Sequence, residues 1–368
     1  MSDYSPSPDN LWWGLLPGPS KFRAQFCAAA EGGKHILLDD AEKILWPKTF
    51  REKCKQELKG SQQWESFDAS WVSESISPGE ALLEAYAPNE AIKDGYRPIS
   101  GKSIEEYLIE NNVLRNRFIW VSNIPAAQID QWVECVKRCS PQNTQGGALV
   151  IECPEKLAVK SKMKNCVILN YADMIQDYDN YAFCFQLLTD SGNQAPLTVI
   201  RYLTSILSRL FPLNVQKTID VIAENTTALL NFSLDDFERI FGEVEKDVLK
   251  HILWQAQLQE IFPIIETGRL HFLKKHKSVL EQLWDKKPNL RNTPYGELSG
   301  TDDLEIAGLK YWFKEWNKAY SHKVQKEDVE IVDTLHECRN VLAHLNVCTP
   351  TDIKAVLDWE EELSKAKA

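Results

Sequence analysis

Apolar positions change period along the chain. Up to about residue 190, short apolar runs alternate with segments of helical spacing. The runs are 11–16, 34–40 (KHILLDD), 64–72, 117–121 (RFIWV), 147–153 (GALVIEC) and 166–169. Between them, Phe22, Phe26, Ala29 and Ala30 share one helical face, as do Ile129, Trp132, Val133 and Val136. Ser77 and Ser103 stand where N-caps belong, ahead of helices at 80–86 and within 101–112. Strand and helix in alternation predict an α/β domain built on a mainly parallel sheet.

After residue 178 the period is helical throughout. Leu197, Ile200, Leu203, Ile206, Leu207 and Leu210 fall on one face, and 217–230, 234–241 and 244–283 continue the pattern. Pro263 should kink or split the long 244–283 segment. A loop rich in Pro, Gly and Asn (286–300) precedes helices at 302–320, 326–346 and 352–366, with Thr351 as the expected N-cap of the last. The expected organisation is a disordered tail (1–10), an α/β domain (11–190), a helical linker or lid (191–243) and a four-helix bundle (244–368).

No apolar run is long enough to span a bilayer and residues 1–10 have no signal-peptide pattern, so the expected compartment is the cytosol. A net charge of −11 argues against nucleic acid held along the whole surface; any such contact is local or shared with a partner. The nine cysteines contain no C-x-x-C pair and read as reduced, packed thiols, with no metal set. Twelve scattered tryptophans point to core packing rather than one stacking platform.

The first loop, between the run 11–16 and the helical segment 22–31, occupies the place of a phosphate-binding loop but lacks its parts. Gly14 and Gly18 are present, Ser20-Lys21 reverses the needed Lys-Ser order, and Pro17 and Pro19 remove N–H donors. Asp39-Asp40 imitates a magnesium-binding pair but comes too early. The segment reads as a strand-to-helix turn in a degenerate nucleotide-binding fold, with phosphate binding at a bare helix N-terminus as the alternative. No cofactor is expected.

The stretch 335–345, LHECRNVLAHL, combines spacing and residue type in a way that suggests chemistry. On a helical wheel Ile331, Leu335, Cys338, Leu342 and Leu345 form the buried stripe, and His336, Asn340 and His344 stack on the opposite side. Arg339 lies roughly 140° from His344. A histidine that titrates near neutrality suits proton transfer to and from ribose and leaving-group oxygens. An arginine suits the charge of a pentacoordinate phosphorane.

Arg339-Asn340…His344 resembles the signature of the HEPN superfamily, an Arg and a His four to six residues apart with a polar residue after the Arg. The resemblance covers about the last 120 residues. It implies a metal-independent endoribonuclease, with Arg339, Asn340 and His344 catalytic and a composite site formed by a homodimer. Its products would carry 2′,3′-cyclic phosphate and 5′-hydroxyl ends. The N-terminal half resembles a degenerate P-loop or AAA-type NTPase domain. Together these resemble the architecture of bacterial antiphage defence proteins, which implies RNA and other defence-system proteins as partners and no membrane. Two other functions remain open: a non-catalytic scaffold or adaptor with both halves degenerate, and a nucleotide-dependent switch.

Overall fold

The computed structural model describes residues 7–58, 63–98, 101–139, 147–157, 165–190, 195–212, 214–229, 234–293 and 296–367. The chain divides into two units, Met1–Asp179 and Asn180–Ala368.

The N-terminal unit begins with two helices, α1 (Pro8–Leu15) and α2 (Pro17–Glu31). The strand expected at 11–16 is therefore helical, and Pro8–Asn10 of the expected tail belong to α1, while residues 1–6 lie outside the described residues. A short apolar run suits a buried helix as well as a strand, and tertiary burial of Leu11, Trp12 and Trp13 selects the helix. Then follow β1 (His35–Asp39), α3 (Pro47–Glu57), β2 (Gln63–Asp68), α4 (Pro78–Tyr86), α5 (Glu90–Lys93) and α6 (Ile104–Glu110). The unit continues through β3 (Arg117–Ser122), α7 (Ile129–Arg138), β4 (Ala148–Glu152) and β5 (Cys166–Asn170).

The five strands are all parallel, in the order β2-β3-β4-β1-β5. Register runs through Ile36↔Val150 on one side of β1 and Ile36↔Val167 on the other. β1 is buried at every position, as a central parallel strand covered on both faces must be. Alternation sorts β3: Ile119 and Val121 join Leu82, Leu108 and Trp132 of α4, α6 and α7 in one core layer. Phe118 and Trp120 face the other way, where Phe26 and Phe50 from α2 and α3 meet them edge-on or tilted at 5.2–6.1 Å. Trp13 stacks on Phe50 at 4.7 Å. The tryptophans of this unit are thus largely core residues. Ser77 with Glu80 and Ser103 with Glu106 form reciprocal capping boxes, each stabilising its helix by about 1 kcal/mol.

The C-terminal unit takes up the chain within α8 (Asp177–Asp190), followed by α9 (Leu197–Leu210), α10 (Val215–Leu229), α11 (Leu234–Ile240) and α12 (Lys246–Glu260). Next are α13 (Phe262–Lys275), α14 (Lys277–Lys286), α15 (Ile306–Ala319), α16 (Lys326–Ala343) and α17 (Pro350–Lys367). One continuous apolar core runs from Cys184 to Leu357, so α9–α11 share it with α13 and α15–α17. Pro263 sits in the first turn of α13 and splits the long periodic segment, and a second break falls at His276. A short antiparallel pair, β6 (Asn292–Thr293) with β7 (Gly296–Glu297), interrupts the helical run. Pro350 opens α17 rather than merely ending what precedes it, and Thr349 caps it: its hydroxyl accepts from Asp352 N–H at 3.3 Å. Gly268 lets α13 approach α16 and α17 closely; a Cβ there would lie 2.6 Å from Leu335 Cδ1 and 3.1 Å from the Trp359 ring. No helix among the described residues is long and apolar enough to cross a membrane.

Candidate functional site

The phosphate-site candidate near Gly18 is already filled. Pro17 and Pro19 supply no N–H in the first turn of α2, and the Gly18 N–H donates to Asp179 Oδ1 at 2.8 Å. Asp179 is buried, and its other oxygen accepts from Gln176 N–H at 2.9 Å. A carboxylate therefore occupies the positive end of the helix, where a phosphate would have to sit. A Cβ on Gly18 would also lie 2.8 Å from the Met174 carbonyl, so this glycine serves close packing.

The true strand-to-helix loop follows β1, from Asp40 to Trp46, and contains no glycine. Asp40 and Trp46 hold left-handed conformations themselves, at φ 58° and 46°. Asp39 is buried at the strand end, accepting from Leu157 N–H at 2.6 Å and the Asn170 amide at 2.9 Å, and Asp40 pairs with Lys43 at 2.5 Å. Asp39 is spent on stitching β1 to β5 and to the segment after β4, and Asp40 on a local ion pair within the loop. No group of three metal-ligating side chains occurs among the described residues.

α16 carries the second candidate. Its first-turn Asp328 is buried and takes Lys275 Nζ and His276 Nε2, each at 2.8 Å, which ties the α13–α14 corner to the N-terminus of α16. The apolar stripe is Val332, Leu335, Cys338 and Leu342. Val332 takes the place expected of Ile331, and Leu345 is not buried at all but 66% exposed. The wheel fails at its C-terminal end because the helix stops at Ala343. His344 is the C-cap, and Leu345 turns left-handed at φ 57°. Leu345 N–H returns to the Leu342 carbonyl at 3.2 Å and Asn346 N–H to that of Val341 at 3.1 Å, a Schellman closure made without glycine.

The expected line of polar side chains survives only in part. Asn340 Nδ2 donates to His336 Nε2 at 3.0 Å, which puts the ring proton on Nδ1, 3.3 Å from Glu337 Oε1. His344 leaves that line with the end of the helix; it is exposed, and its ring makes no hydrogen bond among the described residues. Arg339 is partly exposed and makes a loose 3.5 Å contact with Glu305. It lines an open cleft with Glu266, Arg269, Asp302, Asp303 and Glu305. Arg269 is committed there, bound to Glu266 at 2.9 Å and to the Asp302 and Leu304 carbonyls at 3.3 and 3.2 Å. Four carboxylates against two guanidinium groups leave this cleft acidic.

The turn that presents His344 is tethered on both sides by one stripe of α12, Lys250, Trp254 and Gln257. Trp254 Nε1 donates to the Leu342 carbonyl at 2.9 Å, and Lys250 Nζ reaches Asn346 Oδ1 at 3.1 Å. Gln257 Oε1 accepts from Cys348 N–H at 2.8 Å while its amide donates to the Tyr202 hydroxyl at 3.0 Å. A lysine and an indole N–H thus complement the negative end of α16. Sequence reasoning passed over these residues; their i, i+4, i+7 spacing on α12 was the available signal. Cys338 and Cys348 lie together beneath the turn, and this pairing, with burial, pushes the Cys338 thiol far above its ordinary range. All nine cysteines are free, and all but Cys166 are buried, as packed thiols should be.

No protein-family model, curated protein or solved structure matches this chain.

Proposed function

We propose that the C-terminal unit is a HEPN-type, metal-independent endoribonuclease acting in bacterial antiphage defence, with Arg339, Asn340 and His344 as its active residues. The observation that carries this reading is the tethered C-cap of α16. It presents an uncommitted imidazole to solvent on a turn held by Trp254 and Gln257. A histidine so placed can move protons, while a guanidinium five residues earlier is held by only one long ion pair. In this reading His344 takes the ribose 2′-OH proton or protonates the leaving 5′-oxygen. Arg339 neutralises the phosphorane, and Asn340 with His336 forms the polar wall beside them. With the His336 ring engaged by Asn340, one chain supplies one uncommitted imidazole to this site, and a homodimer would bring the second group for the opposite proton transfer.

The test is cleavage of single-stranded RNA in EDTA by wild type, His344→Ala and Arg339→Ala, with end-group analysis and light scattering for mass. The expected result is dimeric protein, 2′,3′-cyclic phosphate ends and a loss of about 10²–10⁴ in rate for each variant. Wild-type protein that leaves RNA intact, or variants that cut as well as wild type, would sink the reading.

A second reading, a non-catalytic scaffold of a defence complex, is favoured by the acidic cleft around Arg339. Glu266, Asp302, Asp303 and Glu305 would repel a phosphate approaching from that side. The occupied N-terminus of α2 fits the same reading for the other half of the chain.

A further inference from the structure

One corner of the C-terminal unit reverses the charge of the chain. Lys287 Nζ and Lys318 Nζ converge on the single carboxylate Glu315, at 3.2 and 2.8 Å. Lys323 Nζ donates to the carbonyls of Tyr320, at 2.6 Å, and Asn317, where it neutralises the negative end of α15. Lys286 Nζ stands 5.4 Å over the Tyr320 ring, which stacks on Trp316 at 4.1 Å. Lys314 is exposed one turn before Lys318. Five lysines therefore gather on α14, α15 and the residues just after each, two of them sharing Glu315, in a chain whose net charge is −11. Tyr311 lies on the same face, at i−3 from Lys314 and i−7 from Lys318, and is 51% exposed.

We propose that this α14–α15 corner is a docking surface for single-stranded RNA, with Lys314 and Lys318 on phosphates and a base stacked on Tyr311. Cations one helical turn apart beside a free aromatic ring suit a flexible strand: lysines follow the backbone and the ring takes any base. An anionic membrane would attract the same lysines, but the exposed Tyr311 ring beside them adds a stacking partner that favours a nucleic-acid strand, and competition with anionic vesicles separates the two. The choice of RNA among polyanions rests on the ribonuclease reading. The patch would supply the positive charge that the cleft at Arg339 lacks.

The experiment is fluorescence anisotropy with a labelled single-stranded RNA and the full chain, all in a His344→Ala background so that cleavage plays no part. Salt is varied from about 50 to 200 mM, the range over which phosphate contacts weaken strongly. Lys314→Ala/Lys318→Ala should flatten the slope of log K against log salt by about 1.4, two phosphates at about 0.7 each. Tyr311→Ala should weaken binding at least about fivefold. Lys314→Arg/Lys318→Arg should retain it, and Lys34→Ala, on the other unit, should change nothing. RNA that does not bind, RNA that binds the double alanine variant with unchanged slope, or displacement of RNA by phosphatidylserine vesicles overturns the proposal. Binding through the patch without cleavage by the wild-type chain defeats the ribonuclease reading alone. Cleavage with binding indifferent to the patch defeats the patch alone.

Discussion

His35 makes the N-terminal unit sensitive to acid. The ring is fully buried at the start of β1. Its Nδ1 accepts from Leu149 N–H at 3.0 Å, and its Nε2–H donates to the Cys139 carbonyl, so one neutral tautomer joins β1, β4 and the end of α7. A proton on Nδ1 would destroy the acceptor and bury a charge. Burial accordingly lowers the pKa from 6.5 to about 4, against the opposing pull of the Cys139 carbonyl. The unfolded chain binds this proton more readily than the folded one. The contribution is therefore fully present above pH ~6.5 and is lost as pH falls through about 4. Over the whole window the shift corresponds to about 3 kcal/mol, of which about 2.5 kcal/mol falls between about pH 7.5 and 4.5. His35→Gln supplies the control: an amide keeps one acceptor and one donor but does not titrate. The measurement is the opening free energy of peptides covering β1 and β4, from hydrogen exchange corrected for intrinsic rates. Wild type should lose about 2.5 kcal/mol more than His35→Gln across this range. Parallel pH slopes for the two proteins would refute the assignment.

Leu345→Gly should relieve the left-handed turn that ends α16. The side chain is 66% exposed, so little burial is lost, and a net gain of about 1 kcal/mol is expected after the greater freedom of unfolded glycine. Calorimetry should show the C-terminal unit melting about 2–4 °C higher, and an unchanged or lower transition contradicts the strain. Gly268→Ala should act in the opposite direction although alanine favours helix. Its Cβ, 2.6 Å from Leu335 Cδ1, overpacks the α13–α16 contact, at a cost of about 1–3 kcal/mol, readable as a lower denaturation midpoint.

Most elements were legible along the chain because their causes are local. The runs RFIWV and GALVIEC are short, rich in β-branched residues and bounded by turn-forming residues, and both form buried parallel strands. Ser77 and Ser103 each precede a glutamate at the third helical position, and both capping boxes form. The scattered tryptophans lacked any common spacing, and in the N-terminal unit most of them meet in the core.

Misreadings arose where identity and spacing were right but the partner lay far off in sequence. Residues 11–16 are apolar enough for strand or helix, and the packing of Trp13 on Phe50 and Tyr171 selected helix. The loop around Gly18 left phosphate binding at a bare helix N-terminus open as an alternative because Asp179, 161 positions away, is invisible to any local pattern. In α16 the pairing of His336 with Asn340 followed from the i, i+4 rule. The release of His344 from that line did not, because a leucine rather than a glycine closes the helix. Sequence alone thus determined the periodicities, the caps and the presence of an arginine and a histidine five residues apart. Tertiary structure decided whether each was spent or free: Asp179 filled one helix end, while Trp254 and Gln257 tethered another and left its histidine in solvent. The physical reason is that a helix terminus carries unsatisfied backbone groups whoever its neighbours are, and only the fold chooses what satisfies them.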